Sequence, residues 1–226
     1  MNKPQERNTL DARQVQQLKK LIALGEGQTL EFKRKAAHPE KIVREMIAFA
    51  NAQGGIVLIG VGDDGSIPGL KHPEDDSHVI RQALKHCRPS LPVTEMFVPV
   101  TYNRTVIQYV ISESSRKPHY WLNANRSKEC FVRVDDKSVK ASRELREISR
   151  RLSRKKGIYF RYGDHEHLLM QYLDQNKTIT LKKFSEIAKL RKVLASKKLI
   201  LLVLANVLRI TPTEKGDLYS LAMRPE

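Results

Sequence analysis

The spacing of apolar residues predicts alternating helices and strands in the N-terminal part of the chain. Asp11–Leu24 and Pro39–Ala52 carry apolar residues at helical spacing, so each is predicted to form an amphipathic helix. Gln28–Lys33 alternates between apolar and polar residues, which is typical of a half-buried strand. Ile56–Val61 is a continuous apolar run, which favours a strand that is covered on both faces. The chain therefore opens with helix, strand, helix and strand in turn.

The pattern stays mixed further along the chain. It predicts a helix, three strands and the start of another helix, in the order Glu74–Cys87, Val93–Val100, Thr105–Ile111, Glu129–Val134 and Ala141 onward. These elements do not follow a regular repeat of strand, helix and strand. We therefore predict an α+β fold for a first domain at residues 8–155.

Residues 160–226 predict a second, smaller domain. Its pattern consists of three short helices, the last over Arg191–Ala205, followed by strands at Val207–Thr211 and Leu218–Ala222. This is the order of elements in a winged helix, whose third helix approaches the major groove of DNA. The cations predicted on that helix are Arg191, Lys192, Lys197 and Lys198. A small helical oligomerisation domain is the alternative that the same pattern allows.

The charge of the chain points to a polyanionic partner. It contains 41 Lys and Arg against 25 Asp and Glu, for a formal net charge of +16 and a pI near 9.9. We favour nucleic acid over acidic lipid or protein, because each phosphate that a cation neutralises releases condensed counterions. Cations are concentrated in Arg143–Arg161, where the predicted contacts are Arg150, Arg151, Arg154, Lys155 and Lys156.

Other features of the sequence indicate an intracellular, cytoplasmic protein without a membrane partner. No apolar run approaches the roughly 20 residues that a membrane span requires, and the N-terminus lacks the apolar stretch of a signal peptide. Two cysteines, Cys87 and Cys130, cannot form a disulfide framework.

Three motifs in order resemble the Schlafen core, also called the AlbA-like divergent domain. They are GEGQTLEFK at residues 25–33, AFANAQGG at residues 48–55 and IVLIGVGDDGSIPGL at residues 56–70. Lys117-Pro118 and Phe131-Val132-Arg133 look like later blocks of that family, so that the resemblance covers roughly residues 8–150. It implies a mixed-sheet core that binds DNA or RNA. With a helix-turn-helix-like extension at the C-terminus, it also implies a regulator of transcription.

The resemblance also implies a possible catalytic site. Some family members are endoribonucleases that depend on divalent metal and cleave structured RNA through three carboxylates. Carried over to this chain, the catalytic and metal-binding residues are Glu26, Glu31 and Asp63, with Mg²⁺ or Mn²⁺ as the cofactor. Their neighbours Lys33, Arg34 and Lys35 would contact the nucleic acid. The alternative is that these acids are an ordinary strand face, a residue after a helix end and a turn residue.

The spacing of two of these carboxylates sets a condition on the backbone. Glu26 and Glu31 are five residues apart, so they face opposite sides of a strand unless the chain bends between them. Gly25 and Gly27 favour such a bend. Three hypotheses follow: a DNA-binding regulator, a metal-dependent endoribonuclease, and a homodimeric adaptor that uses Leu199–Leu204 as its contact surface.

Overall fold

The computed structural model describes residues 11–154 and 159–222, which form two compact units. The first unit contains the residues up to Ser114 together with His119–Ser138, and the second contains Ser115–Pro118 and the residues from Val139 onward. The boundary near residue 138 lies earlier than the predicted one, which separates a first domain at residues 8–155 from a second at residues 160–226.

The elements of the first unit mix helices and strands, which confirms the α+β prediction. Its helices are α1 (Ala12–Ile22), α2 (Pro39–Asn51) and α3 (Pro73–Leu84). Its strands are β1 (Leu30–Lys33), β2 (Gly55–Ile59), β3 (Cys87–Arg88), β4 (Val93–Thr101), β5 (Arg104–Ile111), β6 (Tyr120–Leu122), β7 (Lys128–Glu129) and β8 (Phe131–Val134), and β9 (Lys137–Lys140) follows at the unit boundary.

A mixed four-stranded sheet forms the centre of the first unit, in the order β1-β2-β5-β4. Strands β1 and β2 are parallel and are joined through α2, whereas β2, β5 and β4 pair antiparallel. The apolar run of β2 lies inside the sheet, and Val57, Leu58 and Ile59 are fully buried, as the continuous run predicts. The parallel pair was not predicted, because the pattern shows strands but not their directions.

Helix α2 supplies much of the core beside this sheet. Its residues Val43, Met46, Ile47 and Phe49 are completely buried. At its end, the side chain of Asn51 accepts a hydrogen bond from the His119 backbone at 2.7 Å and donates one to the Phe131 carbonyl at 2.9 Å. The asparagine of the AFAN motif therefore links the residue before β6, and the first residue of β8, to the end of this helix through hydrogen bonds.

The second unit contains four helices and a hairpin among its described residues. They are α4 (Arg143–Leu152), α5 (Asp164–Gln175), α6 (Leu181–Ile187), α7 (Lys192–Leu204), β10 (Leu208–Thr211) and β11 (Leu218–Leu221). The hydroxyls of Ser142 and Thr180 cap α4 and α6 by accepting from backbone amides in the first turn. The core of this unit is built from Leu169, Phe184, Leu199, Leu202 and Tyr219.

The apolar part of α7 is internal to this unit. Leu199 and Leu202 are buried in its core, while Ile200 and Leu204 pack against Ile148 of α4. The burial of these four side chains contradicts the prediction that an adaptor uses Leu199–Leu204 as its contact surface. They already pack against residues of their own unit.

None of the helices within residues 11–154 and 159–222 is long and apolar enough to cross a membrane.

Candidate nucleic-acid interface

Glu31 of β1 lies in an ion-pair network. One carboxylate oxygen, Oε2, accepts a hydrogen bond from Arg133 Nη2 at 2.7 Å, and the other, Oε1, accepts from the ammonium group of Lys33. The Glu31 side chain is 10% exposed. Lys33 also donates to the Phe32 carbonyl at 2.9 Å. Both oxygens of this carboxylate are therefore engaged by cations of the protein itself.

Arg133 of β8 is the centre of this network. Its side chain is 0% exposed and donates to the Gly27 carbonyl at 2.8 Å, to Glu45 Oε2 at 2.8 Å and to the Ser138 hydroxyl at 3.2 Å, in addition to Glu31. A buried charge is tolerated only when it is paired and hydrogen-bonded, and here two carboxylates supply the pairing. In the sequence, Arg133 stands out only as part of a family block, and its partners Glu45 and Ser138 were not predicted.

Glu45 is the second carboxylate of the network. Burial raises its pKa, and the negative charge of Glu31 raises it further, while the Ser138 hydroxyl and Arg133 lower it. The Ser138 hydroxyl donates to Glu45 Oε2 and accepts from Arg133. The serine thus links this carboxylate to the guanidinium.

Glu26 performs a different task at the start of β1. The chain bends at Gly25, whose φ is +74°, and the Gly27 amide donates to the Leu30 carbonyl at 2.9 Å. This bend lets Glu26 Oε1 accept a hydrogen bond from the Phe32 amide at 2.8 Å. The side chain of Glu26 is exposed, and its hydrogen bond stabilises the start of β1.

Asp63 lies in the turn after β2 and is exposed. The turn is held by its neighbour Asp64, which accepts from the amide and the hydroxyl of Ser66, and these hydrogen bonds lower the pKa of Asp64. Asp63 lines a groove with Lys19 and Phe32, whereas Glu26 lines a neighbouring groove beside Gly54 and Gly55, and Gly25 contributes to both.

The three carboxylates taken from the family do not fit a divalent cation as they are arranged. Among residues 11–154 and 159–222, no group of three or more His, Cys, Asp or Glu side chains is gathered as a metal ion requires. Both oxygens of Glu31 already accept from cations, and one oxygen of Glu26 accepts from the backbone. Hence no chemical step is assigned to a metal at these residues.

The remaining predicted contacts of the first unit lie in the loop after β1. Arg34 and Lys35 are exposed there, next to the engaged Lys33. The charge of Arg34 contributes to the lowered pKa of Asp64. Two of the three cations predicted beside the carboxylates are thus on the surface.

Helix α4 carries part of the basic run. Glu147 accepts from Arg150 Nε at 2.8 Å and from Arg151 Nε at 2.6 Å, and these arginines lower its pKa to about 2. Arg154 is exposed just beyond the helix. Lys155 and Lys156, which were also predicted to contact nucleic acid, lie outside the described residues. Along α4, one carboxylate therefore offsets part of the positive charge.

The predicted nucleic-acid contacts of helix α7 are of two kinds, exposed cations and a lysine that is paired within the protein. Arg191, Lys192 and Lys197 are exposed. Lys198 instead forms an ion pair with Glu166, a buried residue at the start of α5, with its Nζ 2.6 Å from Glu166 Oε1. Exposed apolar side chains accompany the three outward cations, since Val193 is 53% and Leu194 is 42% exposed.

Comparison with known protein families gives a match to this chain. A family model described as Schlafen, AlbA_2 matches residues 26–142, which is more than half of the chain. Comparison with curated proteins gave no match.

Two solved structures are similar over part of the chain, each with a TM-score of 0.40. One is the crystal structure of the DIP2311 protein from Corynebacterium diphtheriae, at 18% identity, covering 58% of this chain and 30% of that one. The other is the solution NMR structure of the N-terminal domain of a RecG-related protein from Nitrosomonas europaea, at 23% identity, covering 49% of this chain and 81% of that one.

Proposed function

Because the chain belongs to the Schlafen AlbA_2 family, we propose that it binds nucleic acid, with duplex DNA as the main ligand, and acts as a regulator of transcription. Nucleic-acid binding is what the family resemblance implies. The choice of duplex DNA rests on the second unit.

The observation that carries the proposal is the exposed positive charge of the second unit. Residues 139–226 contain 20 Lys and Arg against 9 Asp and Glu, while residues 1–138 contain 21 against 16. The excess of cations thus belongs mainly to the smaller unit. Cations held on a surface are what a phosphate backbone requires.

The elements of this unit support a winged-helix-like mode of binding. Helices α5, α6 and α7 are followed by the antiparallel hairpin β10–β11. In such a mode, α7 enters the major groove with Arg191, Lys192 and Lys197 directed at phosphates and base edges. Leu194 and Val193 would meet thymine methyl groups, which are the apolar feature of that groove. Arg209 and Lys215, both exposed on the hairpin, would contact the flanking backbone.

The proposal is tested by removing these cations from the full-length chain. The triple variant Arg191→Ala, Lys192→Ala, Lys197→Ala should bind duplex DNA more weakly, and the slope of log K against log salt should fall by about one for each phosphate that the protein no longer neutralises. The matched control is Arg13→Ala, Lys19→Ala, Lys20→Ala, which removes the same charge from exposed positions of α1. Equal weakening by both triple variants would contradict a specific role for α7.

A second measurement tests the preference for DNA. Duplex RNA of the same sequence has a deep, narrow major groove that a helix cannot enter, so it should compete poorly for the protein. If the duplex RNA competed as strongly as the DNA, the protein would be recognising only the charge of the phosphate backbone.

Cleavage of structured RNA is the alternative that the family resemblance implies. The present arrangement of Glu26, Glu31 and Asp63 favours binding, because none of the described contacts turns the three carboxylates toward one cation. Incubation with structured RNA and Mn²⁺ separates the two functions. Cleavage that disappears in the Asp63→Ala variant would support the nuclease over the binding protein.

A further inference from the structure

The guanidinium of Arg133 lies among oxygen atoms of a kind that usually surround a hard metal cation. They come from two carboxylates, a backbone carbonyl and a hydroxyl: Glu31, Glu45, Gly27 and Ser138. Their distances to the guanidinium nitrogens run from 2.7 to 3.2 Å. Carboxylate, carbonyl and hydroxyl oxygens are the donors that Ca²⁺ accepts in flexible sites.

The four donors come from separate segments of the first unit. Gly27 precedes β1, Glu31 lies on β1, Glu45 lies on α2 and Ser138 lies on β9. The Phe49 ring completes the surroundings, with its centroid 4.8 Å from the central carbon of the guanidinium. This cage is therefore formed by the tertiary fold and depends on a positive charge at its centre.

We propose that this oxygen cage is a latent cation site whose permanent occupant is the guanidinium of Arg133. The native protein consequently needs no divalent metal at Glu31. Removing the guanidinium leaves two carboxylates, a carbonyl and a hydroxyl around a vacated position, and this set then accepts an external cation. The proposal does not depend on nucleic-acid binding.

The balance of charge explains why an external cation would enter. Two carboxylates face the guanidinium, and Lys33 touches only the outer oxygen of Glu31. Without Arg133, like charges on Glu31 and Glu45 repel each other inside the protein. A divalent cation or a free guanidinium ion relieves that repulsion, and a ligand that binds only the folded state stabilises it.

The test compares thermal unfolding of the wild type and of Arg133→Ala at about pH 8, with and without millimolar Ca²⁺ or guanidinium ion. We expect the melting temperature of Arg133→Ala to rise with either cation and to reach a plateau, while that of the wild type does not change. Adding Glu45→Gln to Arg133→Ala should abolish the response to Ca²⁺, because one of the two carboxylates is neutralised. A folded Arg133→Ala that ignores both cations would overturn the proposal.

Two further variants keep the test decisive. Arg133→Gln also removes the positive charge but retains a hydrogen-bonding side chain over Phe49, and it replaces Arg133→Ala if the latter does not fold. Arg81→Ala is the matched control, since Arg81 also pairs with a glutamate, Glu95, but is exposed and meets a single carboxylate. No response to Ca²⁺ is expected from this control.

The wild type supplies an independent arm of the experiment. If Mn²⁺ or Ca²⁺ stabilised the wild-type protein to a plateau and Glu31→Gln removed that effect, a metal rather than Arg133 would be the occupant of the cage, and the proposal would fail.

Discussion

The two units use the same residue types in opposite ways. In the first unit, Arg133 is completely buried and is held by Glu31 and Glu45. In the second unit, Arg150 and Arg151 pair with Glu147 while their side chains remain 40% and 45% exposed. The first arrangement fastens distant segments together, and the second moderates the charge of a surface.

The difference in burial decides what each pair contributes. Breaking a buried pair leaves an uncompensated charge in the interior, which costs about 3–5 kcal/mol, whereas an exposed pair contributes about 0–1 kcal/mol. A glutamate beside an arginine therefore makes no fixed contribution to stability. Its surroundings decide whether a substitution changes the free energy of unfolding or the affinity for a ligand.

The largest expected effect is a difference in stability between variants of Glu31 and Asp63, two of the three carboxylates taken from the family. Glu31→Ala should lower the free energy of unfolding by about 3–5 kcal/mol, because Arg133 loses a buried partner. Asp63→Ala, at an exposed turn position, should change it by less than about 0.5 kcal/mol. Urea unfolding of both variants measures the contrast. Equal effects would contradict the distinction between a buried network residue and a surface residue.

Two adjacent lysines of α7 should give opposite results. Lys198→Ala leaves the buried carboxylate of Glu166 without its ion-pair partner, so the free energy of unfolding should fall by about 1–3 kcal/mol. Lys197→Ala should leave stability within about 0.5 kcal/mol of the wild type but lower the salt slope of DNA binding by about one. Urea unfolding and salt titration of binding test the pair. The contrast between the two lysines is contradicted if Lys198→Ala alone changes the salt slope.

A smaller effect concerns the surface pair of α4. Glu147→Gln should raise affinity for DNA a few-fold, since Arg150 and Arg151 lose the carboxylate that offsets them, and it should cost less than about 1 kcal/mol of stability. Binding at low and high salt checks this, because a gain in electrostatic attraction shrinks as salt rises. Glu186→Gln provides a control with the same change of charge on α6. A decrease in affinity would place Glu147 in the interface itself.

The smallest expected effect is on the pH dependence of stability. Glu147 and Glu45 change the free energy of unfolding in opposite directions as pH rises. The pKa of Glu147 falls from 4.5 to about 2 on folding, so its contribution is present above pH 4.5 and is lost as pH falls toward 2. The pKa of Glu45 rises above 4.5, so its contribution weakens as pH rises through the range above 4.5.

Urea unfolding across acidic pH distinguishes these two groups. Glu147→Gln should make the rise of stability with pH shallower, and Glu45→Gln should make it steeper. If stability rose with pH equally steeply in both variants, burial would not decide whether a glutamate stabilises the protein more at low or at high pH.

The sequence predicted the helices of the fold better than its minor strands. The periodic segments at Asp11–Leu24 and Pro39–Ala52 became α1 and α2 with ends within about two residues, because an amphipathic face carries the same pattern that it buries. Strand β6 was missed, since three residues contain no measurable period.

The candidate site was predicted only in part. The motif around Glu31 led to the family, which the match over residues 26–142 confirmed. The partner of Glu31, Arg133, lies 102 positions away, and no spacing rule connects residues at that distance. Lys197 and Lys198 looked equivalent in the sequence because both are cations of one helix, and only the position of Glu166 distinguishes them.

Local patterns and residue counts were sufficient to establish the α+β composition and the excess of positive charge, and the resemblance of three motifs to a known family pointed to the membership that the family model shows. Which charges face water and which are enclosed was settled only by the folded arrangement of the chain. That outcome depends on distances between segments far apart in the sequence, and the energy of a charge depends on those distances and on burial rather than on the residue type.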